Sequence, residues 1–599
     1  MTDPKAEYEH RAAVAQQDLA YWRGRDRAIS WARLATMVTF LVLAWLAVQQ
    51  RALALGWALV PLFVFVALMV VHERVLGNRK RAERADEFFS VGLARLEGDH
   101  SAGPTGERYL EEGHLFAVDL DLFGPGSVFQ LLSRARTLWG EGLLARWLQE
   151  PSLDGAEIEQ RQAAVADLQQ RLDLRVDLAT LGGEVRSLLE PSDLVAWVTA
   201  PRRLDALQPL RFVLPLVALF NGAAALLWAF EIWDYRPLAI ALVLESVAWL
   251  FVRRRLELSL LGLDRRGRDV ELMSDLIRRL DQESFDSERL ALLQQGLAGP
   301  GSSAAEAISS LTRLIDWTES RRNLFFAPFS ALFLVATQMS LALERWRAHH
   351  GEHVGRWFET VGQFEALASL ASHSYENPAD PFPEILPPSQ DLIFSAEELG
   401  HPLIPRGDCV GNDIALASGG GAPQALIVSG SNMSGKSTFL RACGVNVVLA
   451  LAGATVRATN LRLVPLTVGA SIRTQDSLQD GASRFYAEIV RLRDVLDCAR
   501  DRGPSLFLLD EILHGTNSHD RKIGASALVK SLVDAGALGL VTTHDLALAE
   551  IGDADDRMAN VHFVDHLEDG KVAFDYVLRE GVVTRSNAVE LMREVGLLV

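Results

Sequence analysis

The chain has 599 residues, of which 49% are hydrophobic, and its formal net charge is −18. Its length exceeds what one hydrophobic core usually holds, so we expect about three to five structural units. The acidic balance excludes a chain-wide electrostatic grip on nucleic acid, although a local basic face remains compatible with one. Three widely spaced cysteines without a CxxC pair predict neither disulfides nor a zinc site, and they favour a reducing compartment.

Residues 1–85 contain the first pair of apolar runs. Residues 34–48 and 52–71 carry no charge and are separated by a very short polar turn. The second run has the roughly 20 residues needed to cross the hydrocarbon core of a bilayer, and the first run is short. Arginine clusters precede and follow the pair. We predict a transmembrane hairpin here, and the alternative is a helical hairpin buried in a soluble core.

Residues 86–205 are predicted to form the first part of a helical domain. Apolar positions recur every three or four residues from 127 to 174, which is the spacing of amphipathic helices. A second apolar pair follows within residues 206–256, at about 212–230 and 237–252. Its length and flanking arginines predict a second transmembrane hairpin.

The second apolar pair contains two polar interruptions, Asn221 and Glu245. Glu245 is either a functional intramembrane carboxylate or, as we favour, a protonated or hydrogen-bonded partner of the neighbouring helix. The arginines around both pairs place the chain termini on the cytoplasmic side by the positive-inside rule. The sequence therefore predicts a multi-pass protein of the inner, or cytoplasmic, membrane.

Residues 257–390 are predicted to be helical again and to end in a linker rich in Pro and Asp at 378–388. An apolar segment at 324–343 is interpreted as a buried or membrane-surface helix, because a fifth crossing would move the C-terminal region to the wrong side of the membrane. Over 391–599 short apolar strands alternate with helices, the last of which is predicted at 524–535. That alternation predicts an α/β sheet with crossover helices.

A glycine-rich segment follows the apolar strand predicted at 424–428. Gly430-x4-Gly435-Lys436-Ser437 fits the P-loop pattern, in which backbone N–H groups and a helix N-terminus cradle phosphate oxygens. Lys436 is expected to reach the terminal phosphates, and Ser437 is expected to bind Mg²⁺. The predicted nucleotide-binding residues are Gly430, Ser431, Asn432, Met433, Ser434, Gly435, Lys436, Ser437 and Thr438.

Two further motifs follow apolar strands. The strand predicted at 505–509 leads into Asp510, a candidate Mg²⁺ ligand, and Glu511, a candidate base for the attacking water. His544 follows the next strand, where an imidazole would contact the γ-phosphate. With Lys436, these residues predict an enzyme that hydrolyses ATP with Mg²⁺ as cofactor.

Four segments resemble, in chain order, the ATPase motifs of the MutS mismatch-repair family; they lie at 429–438, 476–488, 508–517 and 542–544. Asn432-Met433 is especially characteristic of that family. The resemblance covers roughly residues 115–200 and 260–599. It implies an ABC-type ATPase that works as a homodimer with ATP sandwiched between subunits. Ser483 would then contact the γ-phosphate bound by the opposite subunit, and Asp476 would belong to the interface.

The chain also departs from the family pattern. We find no counterpart of the mismatch-reading domain ahead of the helical core, and the second apolar pair takes the place of the family's DNA clamp. The predicted fold class is α+β and multidomain, with transmembrane hairpins, an all-α core and lever domain, and a C-terminal α/β ABC-type ATPase domain. DNA, as a repair or recombination intermediate rather than a mismatch, is a candidate client by resemblance alone.

Two alternatives remain open at this point. The first is an ABC-type transporter, which the segment at 480–484 disfavours because it differs from the transporter signature. The second is a membrane regulator or scaffold without a DNA client. The presence of Lys436, Asp510, Glu511 and His544 disfavours a scaffold that binds nucleotide without turnover.

Overall fold

The computed structural model describes residues 3–49, 56–181, 191–201, 204–260, 267–299, 303–320, 330, 332–387, 391–431, 433–473, 484–501, 503–513, 517–544, 549, 552, 555–568 and 571–582. The chain is a mixed α/β, multidomain protein with two compact units. The first unit comprises Met1–Arg134, Leu144–Val176 and Leu367–Val599, and the second comprises Ala135–Leu143 and Asp177–Ala366.

The first unit begins with two long helices, α1 (Pro4–Gln49) and α2 (Gly56–Leu96). Both are longer than the apolar runs that they contain. Arg23 pairs with Glu83 at 3.3 Å, and Arg79 pairs with Asp26 at 2.8 Å. These ion pairs show that α1 and α2 run antiparallel, as a hairpin requires. Residues 50–55 of the predicted turn lie outside the described residues.

Short helices follow where the apolar spacing predicts them: α3 (Val128–Leu132), α4 (Leu138–Gln149), α5 (Gly155–Gln169) and α6 (Leu172–Thr180). Their starts have a local cause. The Ser127 hydroxyl accepts a hydrogen bond from the Gln130 N–H and caps α3, and the Asp154 carboxylate does the same for α5 through the Ala156 N–H.

The second unit contains α7 (Pro191–Thr199), α8 (Leu210–Ala229), α9 (Arg236–Leu260), α10 (Gly267–Asp281), α11 (Glu288–Gln295) and α12 (Ala304–Ser320). Helix α13 (Val335–Glu376) begins in the second unit and ends in the first. The apolar segment predicted at 324–343 therefore ends as the first turns of α13. Residues 324–329 and 331 are outside the described range.

Three helices in the described part are long and apolar enough to cross a membrane: Pro4–Ala47, Leu59–Leu96 and Leu210–Ala229. Their apolar side chains are largely uncovered by protein; Phe63, for example, is 80% exposed. Helix α9, the predicted fourth crossing, is not among the three, so that crossing stays a prediction. Within the second unit, the Asn221 amide donates to Glu245 Oε1 at 2.7 Å, which agrees with the favoured interpretation of Glu245 as a hydrogen-bonded partner.

The strands are β1 (Glu384–Ile385), β2 (Ile393–Leu399), β3 (Asn412–Ala417), β4 (Ala425–Ser429), β5 (Asn460–Leu463), β6 (Thr467–Ser471), β7 (Ser505–Asp510), β8 (Leu538–Thr543), β9 (Met558–Glu568) and β10 (Lys571–Glu580). They form a four-stranded sheet in the order β1-β5-β2-β3 and a six-stranded sheet in the order β10-β9-β4-β8-β7-β6. Because β1 pairs with β5, Glu384 and Ile385 within the segment predicted as a linker at 378–388 belong to this sheet.

The six-stranded sheet is parallel from β6 to β9, and β10 is its antiparallel edge. Strand β4 is fully buried, as the apolar run predicts. Helices α14 (Lys436–Ala452), α15 (Arg484–Asp501) and α16 (Ser518–Asp534) connect the strands. The prediction that the last helix begins at 524 was wrong. Asn517 caps it earlier, because its side chain accepts a hydrogen bond from the Asp520 N–H.

Candidate functional site

The predicted motifs meet at the carboxyl ends of three neighbouring parallel strands. Ser429 at the end of β4 is opposite Thr543 on β8, and Thr542 on β8 is opposite Asp510 on β7. Ligands of open α/β sheets bind at such edges. A cavity of about 670 Å³ opens here, and its lining includes Met433, Lys436, Thr438, Asp510, Glu511 and Tyr576. We call this region the strand-end site.

The loop after β4 needs its glycines for close packing. A Cβ atom on Gly430 would lie 2.8 Å from the Ser434 hydroxyl oxygen, and one on Gly435 would lie 3.0 Å from the Tyr576 ring. Gly435 also has a φ of 101°, and Met433 has a φ of 72°. Only glycine adopts such left-handed backbone without cost, so the glycine-rich pattern is a steric requirement of this turn.

Lys436, the first residue of α14, has its ammonium group inside the loop. Its Nζ donates to the carbonyl oxygens of Gly430 at 2.9 Å and Ser431 at 2.8 Å. The same Nζ lies 3.7 Å from Glu511 Oε1. Burial lowers the pKa of Lys436, while the carboxylates of Glu511 and Asp510 act in the opposite direction. The site thus holds a buried cation whose hydrogen-bond acceptors are neutral carbonyls.

Two serine hydroxyls of the loop have unused hydrogen-bonding capacity. Within the described part of the chain, the side-chain oxygens of Ser431 and Ser434 are buried and have no hydrogen-bond partner. Leaving a buried polar group unsatisfied costs roughly 1–3 kcal/mol. Free hydroxyls and a buried ammonium in one loop suit an anion with several acceptor oxygens, so the loop fits a phosphate group by its own chemistry.

The acidic side of the site is held by one threonine. The Thr542 hydroxyl donates to Asp510 Oδ1 and accepts from the backbone N–H of Glu511 at 3.0 Å. Glu511 has a φ of 46°, an uncommon conformation for a residue with a side chain. His544 Nδ1 lies 3.3 Å from Glu511 Oε1. The strand ends therefore bring two carboxylates and an imidazole to the same cavity as Lys436.

Other parts of the cavity lining were not found by sequence reasoning. Asn412 on β3 donates from its amide to the Tyr576 carbonyl at 3.0 Å and accepts from the Leu578 N–H at 2.6 Å. This contact brings Tyr576 on β10 to the loop. His401 also lines the cavity, and burial lowers its pKa to about 4. The participants are about 165 residues apart in the chain, so no local motif indicates them.

The structure brings together most of the residues that the motifs selected. The cavity lining includes Met433, Gly435, Lys436, Ser437, Thr438, Asp510 and Glu511, while Gly430, Ser431, Ser434 and His544 stand next to it through the contacts above. Asn432, Asp476 and Ser483 lie outside the described residues. The chemical role of each residue stays a prediction.

The fold and the site define a multidomain α/β protein with a P-loop at the carboxyl edge of a parallel sheet. Two family models match the chain: MutS domain III over residues 117–220 and MutS domain V over residues 426–597. These matches, together with similarity to MutS proteins along most of its length, show that the chain belongs to the MutS family.

Three curated relatives illustrate the similarity. The DNA mismatch repair protein MutS of Synechococcus sp. is 27% identical over 79% of this chain and 56% of its own length. DNA mismatch repair protein MutS 2 of Halobacterium salinarum is 36% identical over 33% of this chain and 23% of its own. Endonuclease MutS2 of Thermus thermophilus is 30% identical over 47% of this chain and 38% of its own. The chain thus spans about half the length of the first relative.

Proposed function

We propose that this protein binds ATP with Mg²⁺ at the strand-end site and hydrolyses it. One observation carries the proposal: a buried ammonium and two carboxylates line one cavity at the carboxyl edge of the sheet, and the adjoining loop has two buried hydroxyls without partners. The ammonium and the hydroxyls suit phosphate oxygens, and the carboxylates suit a hydrated metal ion and a water nucleophile.

Each group then has a distinct task. The loop N–H groups with Ser431 and Ser434 hold phosphate oxygens, and Lys436 turns from the loop carbonyls to the terminal phosphates. Ser437 and Asp510 would hold Mg²⁺, which neutralises charge on the phosphates when bound. Glu511 orients the attacking water and accepts its proton. His544 stands beside Glu511 and keeps that carboxylate in place.

The test of hydrolysis is the variant Glu511→Gln. Loss of a general base typically lowers turnover about 10²- to 10⁴-fold. We expect a loss of this size in steady-state ATP hydrolysis, with ATP binding retained in an equilibrium assay. Glu397→Gln, at an exposed position on β2, is the matched control and should hydrolyse ATP normally. Normal turnover in Glu511→Gln would remove the assignment of the base.

We further propose that two copies form composite sites, with Ser483 of one copy facing ATP bound to the other. Family membership supports this, as do Tyr486 and Ile489, which expose apolar surface at the start of α15. A mixing experiment tests it. Ser483→Arg and Lys436→Ala should each be inactive alone and should regain activity together, because one intact composite site forms. A chain that carries both substitutions should stay inactive. Absence of ATP hydrolysis in the mixture of the two single variants would contradict shared sites.

We propose that both hairpins anchor the protein in the inner membrane, with the strand-end site in the cytoplasm. The uncovered apolar surface of the three long helices supports membrane crossing over a hairpin buried in a soluble core. The flanking arginines support the orientation. We expect the protein to resist carbonate extraction. We also expect cysteines introduced at 52 and 233 to be protected from a thiol reagent added on the cytoplasmic side. Release by carbonate would overturn membrane anchoring.

A buried joint supports a coupling between the N-terminal hairpin and the ATPase region. Glu376, the last residue of α13, accepts hydrogen bonds from Tyr8 of α1 at 3.3 Å and from Arg95 of α2 at 2.9 Å. Arg134 lies 3.6 Å from the same carboxylate. Burial acts to raise the pKa of Glu376, but Arg95 and Arg134 outweigh it and hold the pKa well below its usual value. We call these four residues the hairpin joint.

Polar contacts continue from the hairpin joint to the P-loop helix. Asn377 follows Glu376 and accepts a hydrogen bond from Arg457 Nη2 at 3.1 Å. The Arg457 backbone N–H donates to Asn446 on α14 at 2.7 Å. Movement of α14 upon nucleotide binding would therefore reach the hairpin. Protease protection of the membrane-inserted protein should differ between ATP, ADP and ADP with vanadate. Identical protection patterns would contradict a coupling between the nucleotide site and the hairpin.

We propose DNA as the client, as a repair or recombination intermediate rather than a mismatch. Family membership supports a DNA client, as do the names of two relatives, a DNA mismatch repair protein and an endonuclease. The test is the ATPase rate of the detergent-purified protein with duplex, mismatched and branched DNA at fixed salt. Stimulation by one DNA structure is expected. Indifference to all three would favour a membrane regulator without a DNA client.

A further inference from the structure

A strongly basic surface surrounds the N-terminal hairpin where its apolar part begins. Residues 21–33 of α1 and 72–84 of α2 contain nine arginines and lysines against three acidic residues. This local net charge of +6 contrasts with the −18 of the whole chain. We call these two segments the basic collar.

The two segments lie at the same level of the hairpin. The ion pairs of Asp26 with Arg79, at 2.8 Å, and of Glu83 with Arg23, at 3.3 Å, cross directly from one segment to the other. Two of the three acids are thus engaged by collar arginines. At 1.5 Å per residue, the collar covers roughly 18 Å along the helix axes. The surplus positive charge is therefore concentrated in one band around both helices.

The band adjoins the predicted membrane span without a spacer. The uncharged run at 34–48 covers only about 22 Å, less than the roughly 30 Å of a bilayer's hydrocarbon core. Such a short span draws Arg33 into the headgroup layer. Arg33 lies over the Phe65 ring at 5.6 Å, and its Nε has no hydrogen-bond partner in the described structure.

Aromatic side chains in the collar match the same environment. Trp31 is 70% exposed and Tyr21 is 52% exposed. Tryptophan and tyrosine favour the membrane–water interface because their rings are apolar at one end and polar at the other. Nucleic acid would also attract the arginines, but it does not account for exposed aromatics next to an apolar span. The surroundings of the arginines therefore favour lipid.

We propose that the basic collar binds the phosphate headgroups of anionic phospholipids in the cytoplasmic leaflet. The inference rests on the proposed membrane insertion. A basic residue near an anionic membrane surface favours binding about fivefold, and the effect declines within a Debye length. Most of the collar lies within that distance of the headgroups. Anionic lipid is thus a specific partner of the basic collar, whereas the apolar runs contact the bilayer without a preference for one headgroup.

The experiment uses the full-length protein in micelles with equal amounts of phosphatidylglycerol and phosphatidylcholine. Native mass spectrometry counts the lipids of each kind that stay bound. We expect phosphatidylglycerol to be enriched. The double variant Arg25→Gln/Arg74→Gln removes two exposed collar charges and should lower the enrichment up to about 25-fold. The matched control Arg462→Gln/Arg557→Gln removes two exposed charges elsewhere and should retain it.

Equal retention of both lipids by the unaltered protein, or unchanged enrichment in the collar variant, would overturn the proposal. So would loss of duplex DNA binding in the collar variant with lipid enrichment unchanged, since the collar would then be a nucleic-acid surface. Carbonate extraction separates this result from failure of membrane insertion. A protein that resists extraction but shows no lipid preference refutes the collar alone.

Discussion

The strand-end site and the hairpin joint both bury charged side chains, but they differ in the partners that these side chains have. The side chains of Lys436, Arg95 and Glu376 are each only 3–4% exposed. In the joint, Arg95 donates to both oxygens of the Glu376 carboxylate. At the strand ends, the Lys436 ammonium donates to neutral carbonyls and has Glu511 Oε1 at 3.7 Å, in a loop whose Ser431 and Ser434 hydroxyls have no partner. The joint has its partners built in, whereas the site keeps capacity for a partner from outside.

The variant Glu376→Ala should break the joint and produce the largest loss of stability. Removal of one member of a buried ion pair leaves the other uncompensated and costs about 3–5 kcal/mol. Hydrogen exchange at the start of α1 and the end of α2 is expected to accelerate accordingly. Glu9→Ala, at an exposed position of α1, is the control. Unchanged protection in Glu376→Ala would show that the joint does not hold the hairpin.

The variant Lys436→Met should reduce ATP affinity more than stability, which is the reverse of Glu376→Ala. Loss of the ammonium removes charge-assisted hydrogen bonds to phosphate, each of which contributes about 1.5–3 kcal/mol, so ATP affinity should fall at least tenfold. The free protein should lose little stability, because the Glu511 carboxylate lies 3.7 Å from the ammonium and burial of that ammonium is costly. Titration with ATP and hydrogen exchange of α14 measure the two effects. Destabilisation as large as that of Glu376→Ala would erase the contrast between the regions.

The variant Thr542→Val tests the fixed part of the strand-end site. The threonine hydroxyl serves Asp510 and the Glu511 N–H together, so its removal leaves both groups without this partner. We expect a cost of about 1–3 kcal/mol and a fall in ATP turnover of roughly tenfold or more. Thr542→Ser retains the hydroxyl and should restore turnover. Equal defects in both variants would show that packing, and not the hydroxyl, is decisive.

Glu365 in the second unit is a buried carboxyl group whose pKa is raised. Burial raises its pKa to about 7, although it accepts hydrogen bonds from Thr137 and from the Arg136 N–H. Its folded pKa lies above the ordinary value of 4.5, so the stability that it contributes is complete below pH 4.5 and declines as the pH rises to 7.

The slope for Glu365 should approach at most about 1.4 kcal/mol per pH unit. Hydrogen exchange at the start of α4, corrected for intrinsic rates, measures it between pH 4.5 and 7. Glu365→Gln should remove the slope while keeping the shape of the side chain. A slope that survives this substitution would assign the pH dependence to other groups.

The two regions also differ in how far the sequence predicts them. The strand-end site depends on short motifs at strand ends, so its residues could be selected before the strands were placed together. The hairpin joint depends on contacts between distant parts of the chain: Tyr8 is 368 positions from Glu376, and Arg95 is 281 positions from it. No local sequence pattern indicates these three residues. The start of α16 was missed for a smaller reason, because the Asn517 cap lies ahead of the apolar spacing.

The left-handed backbone of Glu511 means that stability and the proposed catalysis favour different residues at this position. A φ of 46° costs a side-chain-bearing residue about 1–2 kcal/mol, and glycine would be free of that cost. Replacement by glycine would therefore relax the turn and abolish the proposed base in one step. A selection for thermal resistance alone would drive this position towards glycine. The backbone strain is measurable as a higher melting temperature in Glu511→Gly than in Glu511→Ala.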